Sequence, residues 1–206
     1  MFFYKQNSYL ICDLTKLKAI VIMSVNLVKG QRISLEKPGG GSLNKVFMGL
    51  GWDPASGYGD IDLDASCLAY DANKNLVEAI YFGKLTSADG SIMHSGDNLT
   101  GEGDGDDEVI NVDLSRVPLK IDVLVFTINS YSGETFNDVV NCFARLVDAS
   151  SNQELCKYML AESGPSTAMA MAKIYRHNGS WKINAMGNAL NGKTAADLVE
   201  PIKKLL

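Results

Sequence analysis

The sequence predicts a mainly β protein, an antiparallel β-sandwich with a few short helices and a C-terminal helix. Three observations carry that expectation. Apolar and polar residues alternate with period two in several short stretches, which puts one set on each face of a strand. The stretches recur at roughly 8–12-residue spacing with polar turns between them, the pattern of a sandwich. Finally, Asn178-Gly179 separates two strand-like runs. That pair is a strong hairpin signal because both residues tolerate positive φ.

The elements follow in order. In 45–52, Val46, Met48, Leu50 and Trp52 alternate with Lys45, Phe47, Gly49 and Gly51. In 60–70, Ile61, Leu63, Ala65 and Cys67 lie on one side, and Asp60, Asp62, Asp64 and Ser66 on the other. The stretch 71–75 (DANKN) reads as a turn and 76–82 as the returning strand. Residues 108–114 and 121–129 give two more strands, and the β-branched run IDVLVFTIN suits a central position. The series continues with 139–149, 167–177 and 181–186. Residues 135–141 suggest one or two helical turns. In 194–206, Thr194 is a candidate N-cap, and Leu198, Val199, Ile202 and Leu205 share a face. Pro201 is expected to break or kink that helix. Ser163-Gly164-Pro165-Ser166 reads as a loop, with no domain boundary.

A chain of 206 residues is long enough for one domain with a substantial core. Residues 1–22 stand apart: an apolar stretch broken by Lys5, Asp13, Lys16 and Lys18, without the unbroken apolar run of a secretory signal. They read as an upstream extension outside the fold, with a membrane-surface anchor as the sharper alternative, and the domain as 23–206. No apolar run is long enough for a transmembrane helix. The net charge of −5 and a pI near 5.0 disfavour direct nucleic-acid binding. Cys12, Cys67, Cys142 and Cys156 are dispersed, form no CxxC pair and read as reduced thiols, which points to the cytoplasm.

The acidic charge is concentrated. The segment 96–108, GDNLTGEGDGDDE, holds Asp97, Glu102, Asp104, Asp106, Asp107 and Glu108 and no base. Six like charges so close repel unless they are splayed in water or neutralised by a multivalent cation. The interspersed glycines allow the backbone to fold back, so that carboxylates and carbonyls converge. Calcium takes about 6–8 hard oxygen ligands in flexible geometry, and this segment supplies such groups. Zinc, copper and iron are disfavoured because no His or Cys cluster is present. The spacing is not that of an EF-hand: counting from Asp97, Leu99, Gly101 and Glu102 stand at positions three, five and six. Asp60, Asp62 and Asp64 place three more carboxylates on one strand face, which must be solvated or bound to metal.

At these residues the chain resembles the TerD family of tellurium-resistance and general stress proteins. The resemblance rests on MSVNLVKGQRISL (23–35), KVFMGLGWDP (45–54), DIDLDASC (60–67), HSGDNLTGEGDGDDEVINVDL (94–114), FTINSYSGETFNDVVNCFARLVD (126–148) and IYRHNGSWKINAMG (174–187). It implies a β-sandwich holding two calcium ions in an acidic site at one end. By position it makes Asp62, Asp64, Asp97, Asn98, Asp104, Asp106, Asp107 and Glu108 the ligand candidates. It further implies a binding or scaffold role beside other proteins of a stress-resistance complex at a membrane. The tail after Gly187 departs from the family's expected ending.

Two alternatives remain at this level. One is a metal-dependent hydrolase of phosphoesterase type using the same carboxylates, although no phosphate cradle or Walker motif is present. The other is an interaction domain with a solvated acidic loop. A hydrolytic triad is disfavoured: His177 adjoins a turn, and His94, next to the acidic loop, reads as a surface residue. Cys67, Trp52 and Trp181 read as core residues.

Overall fold

The computed structural model describes residues 32–34, 36–37, 41–53 and 61–206. The extension 1–22 and Asp60 lie outside the described residues. The chain runs β1 (Arg32–Ser34), β2 (Glu36–Lys37), β3 (Gly41–Ser42), β4 (Lys45–Asp53), β5 (Leu63–Tyr70), β6 (Leu76–Ile80) and β7 (Ile92–His94). It continues with β8 (Glu108–Asp113), β9 (Val123–Ser130), β10 (Val140–Asp148), β11 (Gln153–Met159), β12 (Ala168–His177), β13 (Ser180–Leu190) and the helix α1 (Ala195–Leu205).

Two antiparallel sheets make the sandwich, ordered β1-β13-β12-β9-β5-β6 and β11-β10-β4-β8-β7. A two-stranded ribbon pairs β2 with β3. The mainly β expectation therefore holds. The alternation read from the sequence is the packing of the interior. Val46, Met48 and Leu50 of β4 meet Leu63, Ala65 and Cys67 of β5 and Phe126 and Ile128 of β9 in one buried cluster. Burial of this apolar surface, at about 25 cal/mol per Å², is the main favourable term for the fold. Trp52 and Trp181 belong to the same cluster, and each indole N–H finds a backbone carbonyl, at Ile61 and Leu114 respectively. The run around IDVLVFTIN is central, as expected, with β9 between β12 and β5. Asn178 and Gly179 have φ of 51° and 79° and join β12 to β13 in the predicted hairpin.

A second layer was not legible in the sequence. Leu68, Tyr70, Val125, Ala168, Ala170 and Met186, on the outer face of the six-stranded sheet, pack against Ala195, Leu198 and Ile202 of α1. Every residue of β5 is consequently buried. Its Asp-bearing face is thus neither solvated nor an ordinary core face, because a helix covers the strand further along.

The helix begins as expected. Thr194 Oγ1 accepts from the Asp197 amide, and the Asp197 carboxylate accepts from the Thr194 amide in return, a capping box. The break expected at Pro201 does not occur; the helix runs through it to Leu205. Proline already holds a helical φ, and the buried Leu198 and Ile202 on either side pin the helix to the sheet.

The helical turns expected over 135–141 are also absent. Asp138 accepts from the Thr135 amide and hydroxyl, and the Phe136 amide donates to Ser166, so a local turn leads into β10. Strand β11 escaped the periodicity reading. It is an edge strand, and a register shift at Leu146/Val147 of its partner disturbs the alternation.

Leu198 has no exposed surface and joins α1 to the sheet. Leu198→Ala is expected to lower unfolding free energy by about 2–5 kcal/mol, measured by urea denaturation, with strand content unchanged in the folded protein.

Candidate metal centre

The acidic loop lies on bare backbone. A Cβ on Gly49 would overlap the Asp106 carboxylate, and one on Gly51 would overlap the Gly105 carbonyl and the Phe143 ring. Two glycines spaced by two in β4 therefore clear a shelf on its outer face, while Leu50 and Trp52 point inward. The loop is stitched to that shelf through the Asp107 amide, 2.7 Å from the Leu50 carbonyl, and the Trp52 amide, 2.9 Å from Asp107 Oδ2. Gly101 adopts φ 68° with its Cα against the Trp52 indole, where a side chain would collide.

Asn98 organises the loop from within. Its Oδ1 accepts from the amides of Thr100 and Gly101, and its Nδ2 lies 3.4 Å from Asp107 Oδ1. Its own amide donates to Glu108 Oε1 at 3.2 Å.

Glu108 links this loop to the other sheet. Strand β6 pairs with β5 only over Cys67–Tyr70, so the edge of β5 is open at Ala65. The Ala65 amide donates to Glu108 Oε2 at 2.7 Å, and the Ala65 carbonyl lies 3.2 Å from His94 Nε2. His94 Nε2 is also 3.3 Å from Glu108 Oε2, with both side chains fully buried. His94 Nδ1 accepts from the Gly96 amide, which leaves the proton of the neutral ring on Nε2. Burial alone would lower the His94 pKa, but the hydrogen bond and charge of Glu108 outweigh it and raise it. The surface reading of His94 is therefore corrected: it is a buried clasp between β7, β8 and β5.

Beside this clasp, Asp62, Asp64 and Asp97 bring one carboxylate oxygen each within 4.8 Å of one another. Among the described residues, no lysine or arginine forms an ion pair with any of the three. Asp62 Oδ1 is buried without a hydrogen-bond partner among the described residues. Asp64 Oδ2 accepts from Asn129 Nδ2 at 2.7 Å. Burial, then repulsion from Asp97, Glu108 and Glu134, raises the Asp62 pKa to about 6. Burial and repulsion from Glu108 raise Asp64 to about 7, against the Asn129 hydrogen bond. Three converging carboxyls, two of them (Asp62 and Asp64) held above their ordinary range and one with an orphaned oxygen, form a pocket of unneutralised negative potential. The donors are all oxygen, which suits a hard cation. Burial pushes the Cys156 thiol up to about 12 and Cys67 and Cys142 higher still, so none is a thiolate ligand.

The remaining candidates sit apart from this trio. Asp106 receives a bidentate pair from Arg145, Nε and Nη2 each at 2.8 Å. Asp104 is exposed. Asp107 faces the shelf side; its pKa is raised by burial and by the charges of Asp53 and Asp106, against the Trp52 amide. The acids thus divide between the trio and a group around Asp107. Sequence reasoning missed Asn129, Glu134 and Arg145. Each is an ordinary strand or turn residue in sequence. The β5–β9 pairing brings Asn129 to the site and the β4–β10 pairing brings Arg145, while Glu134 follows β9 in a turn where its carboxylate accepts from the Ser130 and Ser132 hydroxyls.

Two outcomes follow. In chelator, Asp62 and Asp64 bind protons more tightly in the fold than in the unfolded chain. Stability should therefore fall as pH rises from 3.8 through about 7 and then level off. Urea midpoints against pH should show this, and Asp64→Asn should flatten the upper part of the curve. Gly51→Ala should lift the loop off β4. Shifted backbone amide resonances across 101–107, with a loss of about 1–3 kcal/mol, would report it.

The TerD domain family model matches residues 23–200. The chain is 46% identical over 184 residues to the tellurium resistance protein TerZ of Serratia marcescens, covering 84% of this chain and 94% of the relative. It is 42% identical over 183 residues to general stress protein 16U of Bacillus subtilis, covering 84% and 94%. Among solved structures, a Streptomyces coelicolor homologue of the telluride resistance protein TerD superposes with a TM-score of 0.72 at 23% identity, covering 79% of this chain and 98% of that one. With a family match over most of its length and relatives this similar, the chain belongs to the TerD domain family.

Proposed function

We propose that this chain is a calcium-binding module of a tellurite- and chemical-stress-resistance system, working as a binding or scaffold protein and not as a catalyst. The observation that carries the reading is the trio of Asp62, Asp64 and Asp97, with its orphaned Asp62 oxygen and two raised carboxyl pKa values. The relatives' names supply the setting: two are named for tellurium resistance in Serratia marcescens and one for general stress in Bacillus subtilis.

The trio would hold one ion, and Asp107 with Asn98 would supply donors for a second. A flexible glycine-bearing loop favours the larger, adaptable coordination shell of calcium over the strict octahedron of magnesium. Bound calcium supplies positive charge that cancels the repulsion among the carboxylates. The chain's own residues do the rest. Glu108 and His94 fix β5 beneath the trio, Asn98 shapes the loop, and Arg145 holds Asp106 out of the cluster. The loop surface so ordered is the face offered to the other proteins of a cytoplasmic, membrane-associated complex.

Calorimetric titration of the metal-free chain should show saturable calcium binding near two ions per chain and much weaker magnesium binding. At 100-fold excess over Kd, calcium should add about 2.7 kcal/mol to stability. Asp64→Asn should abolish one of the two binding events. No calcium heat and no stabilisation would overturn the reading, and turnover of a phosphate ester with magnesium or manganese would favour a hydrolase instead.

A further inference from the structure

On the outer face of the six-stranded sheet, between the start of α1 and the ends of β5 and β6, lies a cavity of about 450 Å³. That is within the ~300–1,000 Å³ typical of small-molecule sites. One wall is aromatic. Phe82 stands edge-on to Tyr81 at 5.4 Å and to Tyr131 at 5.8 Å between ring centres, and Tyr131 is half exposed.

The opposite wall is polar, and part of it lacks partners. The β5–β9 register sets Asp64 opposite Asn129 and Ser66 beside them, on one sheet face. All three are almost completely buried. Asn129 Nδ2 is already committed to Asp64 Oδ2 and to the Lys193 carbonyl. Its Oδ1 has no hydrogen-bond partner among the described residues, and neither has Ser66 Oγ. Buried polar atoms are nearly always paired, so two orphans on residues of one cavity wall call for a further group there.

The chemistry of that group follows from what the wall offers. A carboxylate, an amide oxygen and a hydroxyl are three acceptors on one side of a cavity; a primary ammonium brings three donors and a positive charge. An anion would meet the repulsion of Asp62, Asp64 and Asp97. We propose that this cavity binds a small primary amine with an apolar or aromatic body, its ammonium group on Asp64, Ser66 and Asn129 and its body against Tyr81, Phe82 and Tyr131. This goes beyond the calcium reading and does not depend on it.

Phenethylamine, its neutral counterpart phenethyl alcohol and the anionic hydrocinnamate separate the possibilities. Each is titrated into the chain in chelator at pH 8, with saturation-transfer NMR and calorimetry as readouts. The expected result is saturable binding of one amine per chain, about tenfold weaker binding of the alcohol and none of the carboxylate. Ala196 is exposed at the rim of the cavity. Ala196→Phe should weaken amine binding by about tenfold or more while leaving the thermal melt unchanged. Ser66→Ala should weaken it several-fold. Absence of saturable amine binding, equal binding of alcohol or carboxylate, or full binding by folded Ala196→Phe would overturn the proposal; the first of these would mean that water alone meets the orphaned atoms. Calcium titration of Ala196→Phe, whose carboxylates are untouched, reports on the calcium reading by itself.

Discussion

The buried carboxyl of Glu108 ties three parts of the molecule to one another. One oxygen receives the Ala65 amide on the open edge of β5, and the other receives the Asn98 amide at the entry to the acidic loop. His94 closes the arrangement by meeting both Glu108 and the Ala65 carbonyl. A group this deeply buried costs a great deal unless its hydrogen bonds are made. The two sheets and the loop are therefore held in one relative position, and any shift of one strand would leave a buried carboxyl without partners. The trio of aspartates inherits its geometry from that clasp.

The acidic end is a balance of opposed forces. Crowding carboxylates raises their pKa values and works against folding at neutral pH. The structure divides the load. Arg145 neutralises Asp106, backbone amides satisfy Asp107 and Glu108, and Asp62, Asp64 and Asp97 are left together. What is left concentrated is what a cation would take. The same strand face continues away from the loop into the cavity beneath α1, so Asp64 borders both regions. Asn129 joins them, with its amide nitrogen turned to Asp64 and its oxygen without a hydrogen-bond partner among the described residues.

Much of this was legible in the sequence, and the reasons differ from element to element. The alternation of Val46, Met48, Leu50 and Trp52 reports the core directly, because side chains on a strand must alternate faces. The Asn178-Gly179 hairpin and the Thr194 cap are local chemistry and needed no tertiary context. The turn over 135–138 reads as helix in sequence because Asp138 can serve either as a helix-promoting or as a turn-closing acid; the Phe136 bond to Ser166, distant in sequence, decides it. His94 read as a surface residue because its partner Glu108 stands across the acidic loop and Ala65 in another sheet.

By itself the sequence determined the class of fold, the inward-facing residues of the main strands, the concentration of acid in 96–108, and the resemblance that names the family. These are properties of neighbours along the chain, where spacing and residue type act directly. Only the tertiary structure decided which acids converge. Asp106 and Asp107 are adjacent in sequence, yet one meets Arg145 of β10 and the other the Trp52 amide of β4. Asp97, remote from Asp62 and Asp64 along the chain, joins them in one cluster. Electrostatic partnership depends on distance in space and on shielding from water. Strand pairing and the covering helix set both of those, and no local pattern encodes either.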